Sequence, residues 1–183
     1  IMEPEYQIAL SDLVNMESVS WKLLYSATTD GFTSAKFHQK CDKKGTTLTV
    51  VLSEKDAIFG GYSPVDWDKT KSAYVNSDKT WLFSLKAVKG TTRTPVRLNK
   101  NKSHGSQYGI YNNSSQGPTF GGGFDLKIDN NPKSNSNYSN LGYSYDTSKL
   151  KNCSYGTTGA KNFLAGGYNF KIKDYEVYQM KKQ

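Results

Sequence analysis

Cysteine and histidine are scarce in this chain. Among 183 residues there are two cysteines, Cys41 and Cys153, and two histidines, His38 and His104. Two thiols so far apart exclude a disulfide framework. A zinc site would need further ligands at plausible spacing beside His38 and Cys41, and none stands out. Long hydrophobic runs are missing too. No apolar stretch approaches the ~20 residues that span a bilayer, and no signal-peptide core opens the chain. These absences set the expectation of a cytoplasmic protein without membrane insertion. Ile1 ahead of Met2 adds the expectation of a piece cut from a longer parent.

A dense block of one charge is also lacking, although the net charge is +8. The basic residues are spread out, at Lys36, Lys40, Lys43 and Lys44, then Arg93, Arg97, Lys100 and Lys102, then Lys171 and Lys173. No basic-aromatic motif of a nucleic-acid binder accompanies them, so nucleic acid is not the expected partner. A solvated surface is the first reading of this charge, and attraction for an acidic partner is the second. Proline is sparse at five, whereas glycine, at 16, is not. That balance suits many turns joining short strands. Aromatic residues make up 13% of the chain, enough for a core and against disorder.

Periodicity divides the chain unevenly. Residues 6–16 carry apolar side chains at helical spacing, and residues 1–20 are assigned to a helical or linking segment that packs on the domain or leads into it. Residues 21–183 form the domain proper. It begins with a strand that puts Trp21, Leu23 and Tyr25 on one face, followed by a turn at Asp30–Gly31. A helix is expected after a Thr33 or Ser34 cap, with Phe37 and Cys41 one turn apart and Gly45 as the stop. From Thr46 the period becomes two. Strands are expected at residues 47–53, 57–62, 80–86, 94–98, 108–111, 124–128 and 169–180. In the last, Phe170 and Ile172 are out of phase with Tyr175 and Val177, so a bulge is expected near Lys173–Asp174. Residues 129–140 and 146–162 read as loops, the first on the surface. The pattern is mainly β, a two-sheet antiparallel sandwich with a few short peripheral helices.

Chemical motifs are few. Gly121, Gly122 and Gly123 look at first like a phosphate loop. No lysine follows them as a P-loop demands, and a strand rather than a helix comes next. Their expected role is positive φ, or close backbone approach where a strand begins. Asp129-Asn130-Asn131 begins like a calcium loop, but the glycine and closing glutamate are missing. His38, Cys41 and Asp42 could make an activated thiol, although a packed cysteine beside a helix-borne histidine is the blander reading. Asp66 and Asp68 flank Trp67 and could pair with Glu54 or Asp56 for acid–base work; solvated turn residues are the preferred account. Trp21, Trp67 and Trp81 sit in patterned apolar runs that suit a core better than a sugar platform. No cofactor, metal site or catalytic constellation is expected.

Six blocks in order carry a family resemblance: "WKLLYSATTDGF", "FHQKCDKKGTTLTVVLS", "FGGYSPVDW", "WLFSL", "GPTFGGGFDLKI" and "FLAGGYNFKIKDYEVYQM". Together they resemble a TLDc domain from about Trp21 to Met180, in a form similar to protist copies. The departure is Thr46, where proline commonly follows the glycine. The resemblance implies a β-sandwich, a link to oxidative-stress protection, and binding to the vacuolar-type proton ATPase with an effect on its assembly. It implies no catalytic mechanism or cofactor. The motif positions it carries over, for partner binding or for the fold, are Asp30, Asp42, the Gly60–Gly61 pair, Gly121 to Gly123 and Glu176. The resulting expectation is a non-catalytic regulatory module, monomeric as an isolated domain, that reaches endolysosomal membranes only through a partner. A cationic rim at Lys43, Lys44 or Lys100 would steer that partner. The alternatives are thiol-based antioxidant activity at Cys41 and, more weakly, carbohydrate binding near Trp67.

Overall fold

The first helix, α1 (Pro4–Val14), begins two residues before its apolar stripe, because Pro4 suits a first turn where no N–H partner is needed. It ends on Asn15, whose left-handed backbone lets its N–H donate to the Ser11 carbonyl at 3.1 Å. The computed structural model describes residues 1–15, 19–102, 105 and 107–182; Met16, expected at the end of this helix, and His104 lie outside the described residues. Next comes β1 (Val19–Ser26), where the sequence reading is corrected. Its pairing shifts between Leu23 and Tyr25, so the expected single face splits. Tyr25 turns into the core, Leu23 is left 49% exposed, and Trp21 packs on the opposite side.

Two helices follow, the short α2 (Ala27–Asp30) and α3 (Ser34–Cys41). The Thr33 hydroxyl caps α3 by accepting the Lys36 N–H, and Phe37, His38 and Cys41 are its buried face. Strands dominate thereafter: β2 (Thr47–Ser53), β3 (Ile58–Ser63), β4 (Ala73–Val75), β5 (Trp81–Lys86), β6 (Val96–Leu98), β7 (Ile110–Asn112), β8 (Gln116–Phe120), β9 (Leu126–Asp129) and β10 (Asn137–Ser139). Helix α4 (Thr158–Asn162), capped by Thr157, precedes β11 (Asn169–Phe170) and β12 (Ile172–Lys182). One sheet has the order β1-β12-β2-β3-β5-β6, the other β11-β10-β9-β8-β7-β4. All their pairings are antiparallel, so the expected two-sheet sandwich is the observed one.

Several elements differ from the pattern reading. Strand β8 escaped notice because "QGPTF" reads as a turn, and β4 because it holds only three residues at an edge. The stretch 129–140 is not all surface. Asn137 is fully buried within it, donating to the carbonyls of Pro132 (2.7 Å) and Phe170 (2.8 Å) and accepting from the Asp129 N–H at 2.9 Å. A satisfied amide replaces an apolar side chain there, which hydrophobic periodicity cannot register. The last strand is two: β11 pairs in the second sheet and β12 in the first, with Lys171 between them. The expected bulge lies between Ile172 and Asp174, and it brings Tyr175 and Val177 inward.

Between the sheets, Phe59, Leu82, Val51 and Val177 meet Ile110, Phe120, Leu126 and Ile128. A second cluster lies on the outer face of the first sheet. There α1 buries Leu10 and Val14 against Leu48, Val50, Trp81 and Phe83. The Arg97 guanidinium stacks 4.5 Å from the Trp81 ring centroid and donates to the last-turn carbonyl of Leu13.

Candidate functional site, an aromatic face on a glycine turn

The glycine triplet links β8 to β9. Gly121 has φ +83° and Gly123 φ +72°, both in the region that favours glycine. A side chain at Gly121 would meet the Asp125 carboxylate at 2.2 Å, and one at Gly122 would meet the Tyr108 ring at 2.4 Å. Phe124 follows at φ +59°, a costly backbone state for an aromatic residue. Two anchors hold it there. The Gly122 N–H donates to Ser144 Oγ at 2.8 Å, and Asp125 is fully buried.

Asp125 is the acceptor in a cradle of backbone N–H groups. Its Oδ1 accepts from Gly142 (3.0 Å), Tyr143 (3.2 Å) and Ser144 (3.2 Å). Consecutive N–H groups of this kind often bind phosphate; here the carboxylate of the chain itself fills them. Burial pushes Asp125 up to about 7 against the opposing pull of the Ser144 N–H, Lys100, and the Gly142 and Tyr143 N–H groups. Lys100 is buried too. Its ammonium donates to the Gly105 and Tyr108 carbonyls at 2.9 and 2.7 Å, and burial lowers it to about 8. It is therefore no part of the cationic rim that the sequence suggested, whereas Lys43 and Lys44 are exposed.

Above this foundation lies the outer face of the second sheet. Ile110 and Asn112 of β7 point inward, so Tyr111 points out, opposite Tyr74 of β4. By the same alternation Tyr138 of β10 and Lys127 of β9 face outward as neighbours. Phe124 bridges the two halves, with its ring 5.2 Å from Tyr111 and 6.1 Å from Tyr138. Tyr108 and Tyr143 extend one end, where Tyr74 and Tyr108 are 4.7 Å apart. Tyr168 stacks on Tyr138 at 5.3 Å at the other end. Tyr74, Tyr143, Tyr155 and Tyr168 are each at least 36% exposed. Among the described residues no helix lies across this face as α1 lies on the first sheet. Helix α4 meets the β10 end, where Lys161 stands over the Tyr168 ring.

The remaining candidates are scattered. Gly60 and Gly61 lie in the middle of β3, where added side chains would meet the Thr49 carbonyl oxygen at 1.9 Å and the Phe120 ring at 2.6 Å. Asp30 accepts from the Ser26 N–H and pairs with Lys40 at 2.9 Å. Asp42 links His38 Nδ1 (2.7 Å) to the Lys69 N–H (2.9 Å). Glu176 accepts the Tyr178 hydroxyl at 2.6 Å. Asp30 and Asp42 tie one element to another, the Glu176 contact with Tyr178 lies within β12, and of all these candidates only the triplet lies at the aromatic face.

The thiol reading meets an unfavourable environment. Cys41 is fully buried, and burial, then Asp42 and Asp30, push its thiol well above the ordinary range. His38, its proposed activator, spends Nδ1 on Asp42 and Nε2 on the Asn113 and Gln116 carbonyls. The acid–base carboxylates do not converge. Asp66 and Asp68 border a depression of about 560 Å³, Glu54 borders another, and Asp56 pairs with Lys173. Trp67 is 1% exposed and donates to Thr47 Oγ1 at 3.0 Å, so it offers no ring to a sugar. Asp125, Ser144 and the tyrosine face were missed by sequence reading. The one available signal was the aspartate two residues after the triplet, in "GGGFD".

Fold and site thus define a two-sheet sandwich whose prominent surface feature is an aromatic face seated on a glycine turn. The chain belongs to the TLDc domain family, whose model matches residues 1–181. It is also similar to the MTOR-associated protein MEAK7 of Danio rerio, with 29% identity over 68 residues. That match covers 37% of this chain and 15% of the relative, so the chain spans a small part of that protein's length.

Proposed function

We propose that this chain is a non-catalytic, TLDc-type regulatory module that acts by binding a protein. The observation that carries this reading is the preorganised aromatic face, part of it exposed, set against a Cys41 thiol that is buried and held in its protonated form. Aromatic side chains that keep one edge wet are the usual currency of interfaces. The partner the family points to is a subunit of the vacuolar-type proton ATPase, in a pathway that protects against oxidative stress. The MEAK7 relative, named for association with MTOR, is consistent with a regulatory protein partner. The site of action is cytoplasmic, at the pump's membrane surface but not in the bilayer; no helix among the described residues is long and apolar enough to cross one.

The test is binding of the purified chain to purified vacuolar-type proton ATPase, read with proton pumping in reconstituted vesicles. Saturable binding with altered pumping is expected. Absence of binding overturns the pump as partner. Peroxide consumption by the purified chain, abolished in Cys41→Ala, would overturn the non-catalytic reading.

A further inference from the structure

The aromatic face has chemistry as well as exposure. Two ammonium groups stand over its rings, Lys127 at 5.1 Å from the Tyr138 centroid and Lys161 at 5.4 Å from Tyr168. The carboxylates nearby are already committed. Asp125 is sealed beneath the turn, and Asp129 pairs with Lys127 at 3.6 Å. The Tyr138 hydroxyl turns back on the glycine turn, donating to the Gly123 carbonyl at 3.3 Å. A face of rings and cations, on a chain of net charge +8, is complementary to carboxylates.

We propose that this face docks an acidic segment of a protein partner, with Asp or Glu side chains among aliphatic or aromatic ones. The proposal rests on the interaction-module reading above and names the surface and the chemistry of that module's partner. Carboxylates of the segment pair with Lys161 and compete with Asp129 for Lys127. Its apolar side chains cover Phe124 and the ring edges of Tyr74 and Tyr111.

Ring geometry favours a peptide over stacked bases or sugars. Tyr74 meets Tyr108 and Tyr111 at interplanar angles of 60° and 51°, and Phe124 meets Tyr138 at 44°. Rings tilted in this way cover one another and leave few free parallel faces, which nucleic-acid platforms require. Both arginines stack elsewhere, on Phe163 and Trp81, so no arginine track accompanies the rings to follow a phosphate backbone.

The test is selection of a displayed library of short random peptides on the purified chain, followed by affinity measurement. Selected peptides are expected to be acidic with interspersed apolar residues. They should bind the chain at least about tenfold more tightly than a Tyr74→Ser/Tyr138→Ser variant or a Lys127→Glu/Lys161→Glu variant, with affinity falling as salt rises. A Tyr74→Phe/Tyr138→Phe variant, which keeps the rings, should keep most of the affinity, and melting temperatures should verify folding of all three. Neutral or basic peptides, no enrichment, or equal binding by the folded variants would overturn the proposal. So would an oligothymidylate or a cellulose oligomer binding this face more tightly than the peptides. If the tyrosine variants still bind the ATPase normally, this surface is wrong and the module reading stands. If acidic peptides bind but the ATPase does not, the pump partner is wrong and the surface stands.

Discussion

The two sheets turn different outer faces to their surroundings. On the first, Trp81, Phe83, Leu48 and Val50 lie under α1, with Leu10 1% exposed in the seam. On the second, Tyr74, Tyr111, Tyr138 and Phe124 occupy the equivalent outer layer, with no such helix over them among the described residues. Side-chain chemistry follows the difference. The covered face uses residues that gain most from complete burial, with Tyr62 stacked on Trp81 at its margin. The open face uses rings that keep a hydroxyl in water. One face is completed by the chain; the other is the face on which we propose that a partner docks.

The largest effect is expected where the covered face approaches a backbone. Gly60→Val would push a side chain into the Thr49 carbonyl and the Phe83 ring, destabilising the fold by about 3 kcal/mol. Urea unfolding would measure it. A comparable effect is expected at the seal itself. Leu10→Ala removes a fully buried side chain from α1 and should cost about 2–4 kcal/mol, read the same way. At temperatures where this variant stays folded, its affinity for a partner on the open face should not change. A parallel loss of affinity would merge the two faces into one unit.

A smaller effect is expected beneath the open face, and its sign depends on pH. Asp125 rises from 3.8 to about 7 on folding, so the native state holds that proton more tightly. Its stabilising contribution is complete at acid pH and is lost as pH rises from about 4 toward about 7. Lys100 falls from 10.5 to about 8, so the native state releases its proton first, and stability returns as pH rises from about 8 to 10.5. These two groups therefore place a stability minimum near neutrality. Asp125→Asn should remove the acid-side slope and cost about 1–3 kcal/mol in the backbone cradle. Thermal melting across the pH range would show both.

Legibility in the sequence followed apolar periodicity. Strands β2, β3 and β5, the capped helix α3 and the bulge in β12 were readable because alternation and capping residues are local signals. Strand β10 was hidden because Asn137 is buried through hydrogen bonds, and β8 because Gly117 and Pro118 look like a turn. The triplet was recognised as a backbone device, but its partner Asp125 was not. A lone aspartate cannot reveal that residues 142–144 fold back to receive it. The open face was least legible, since its rings come from stretches that read as loops or edges, among them Tyr138, Tyr143 and Tyr168.

We propose that the partner meets the open aromatic face seated on the glycine triplet. It is tested most directly by comparing the Tyr74→Ser/Tyr138→Ser variant with the unaltered chain for affinity to purified vacuolar-type proton ATPase, with melting temperatures measured in parallel. Affinity is expected to fall at least about tenfold while the variant stays folded at the assay temperature. Undiminished affinity in the folded variant would contradict it.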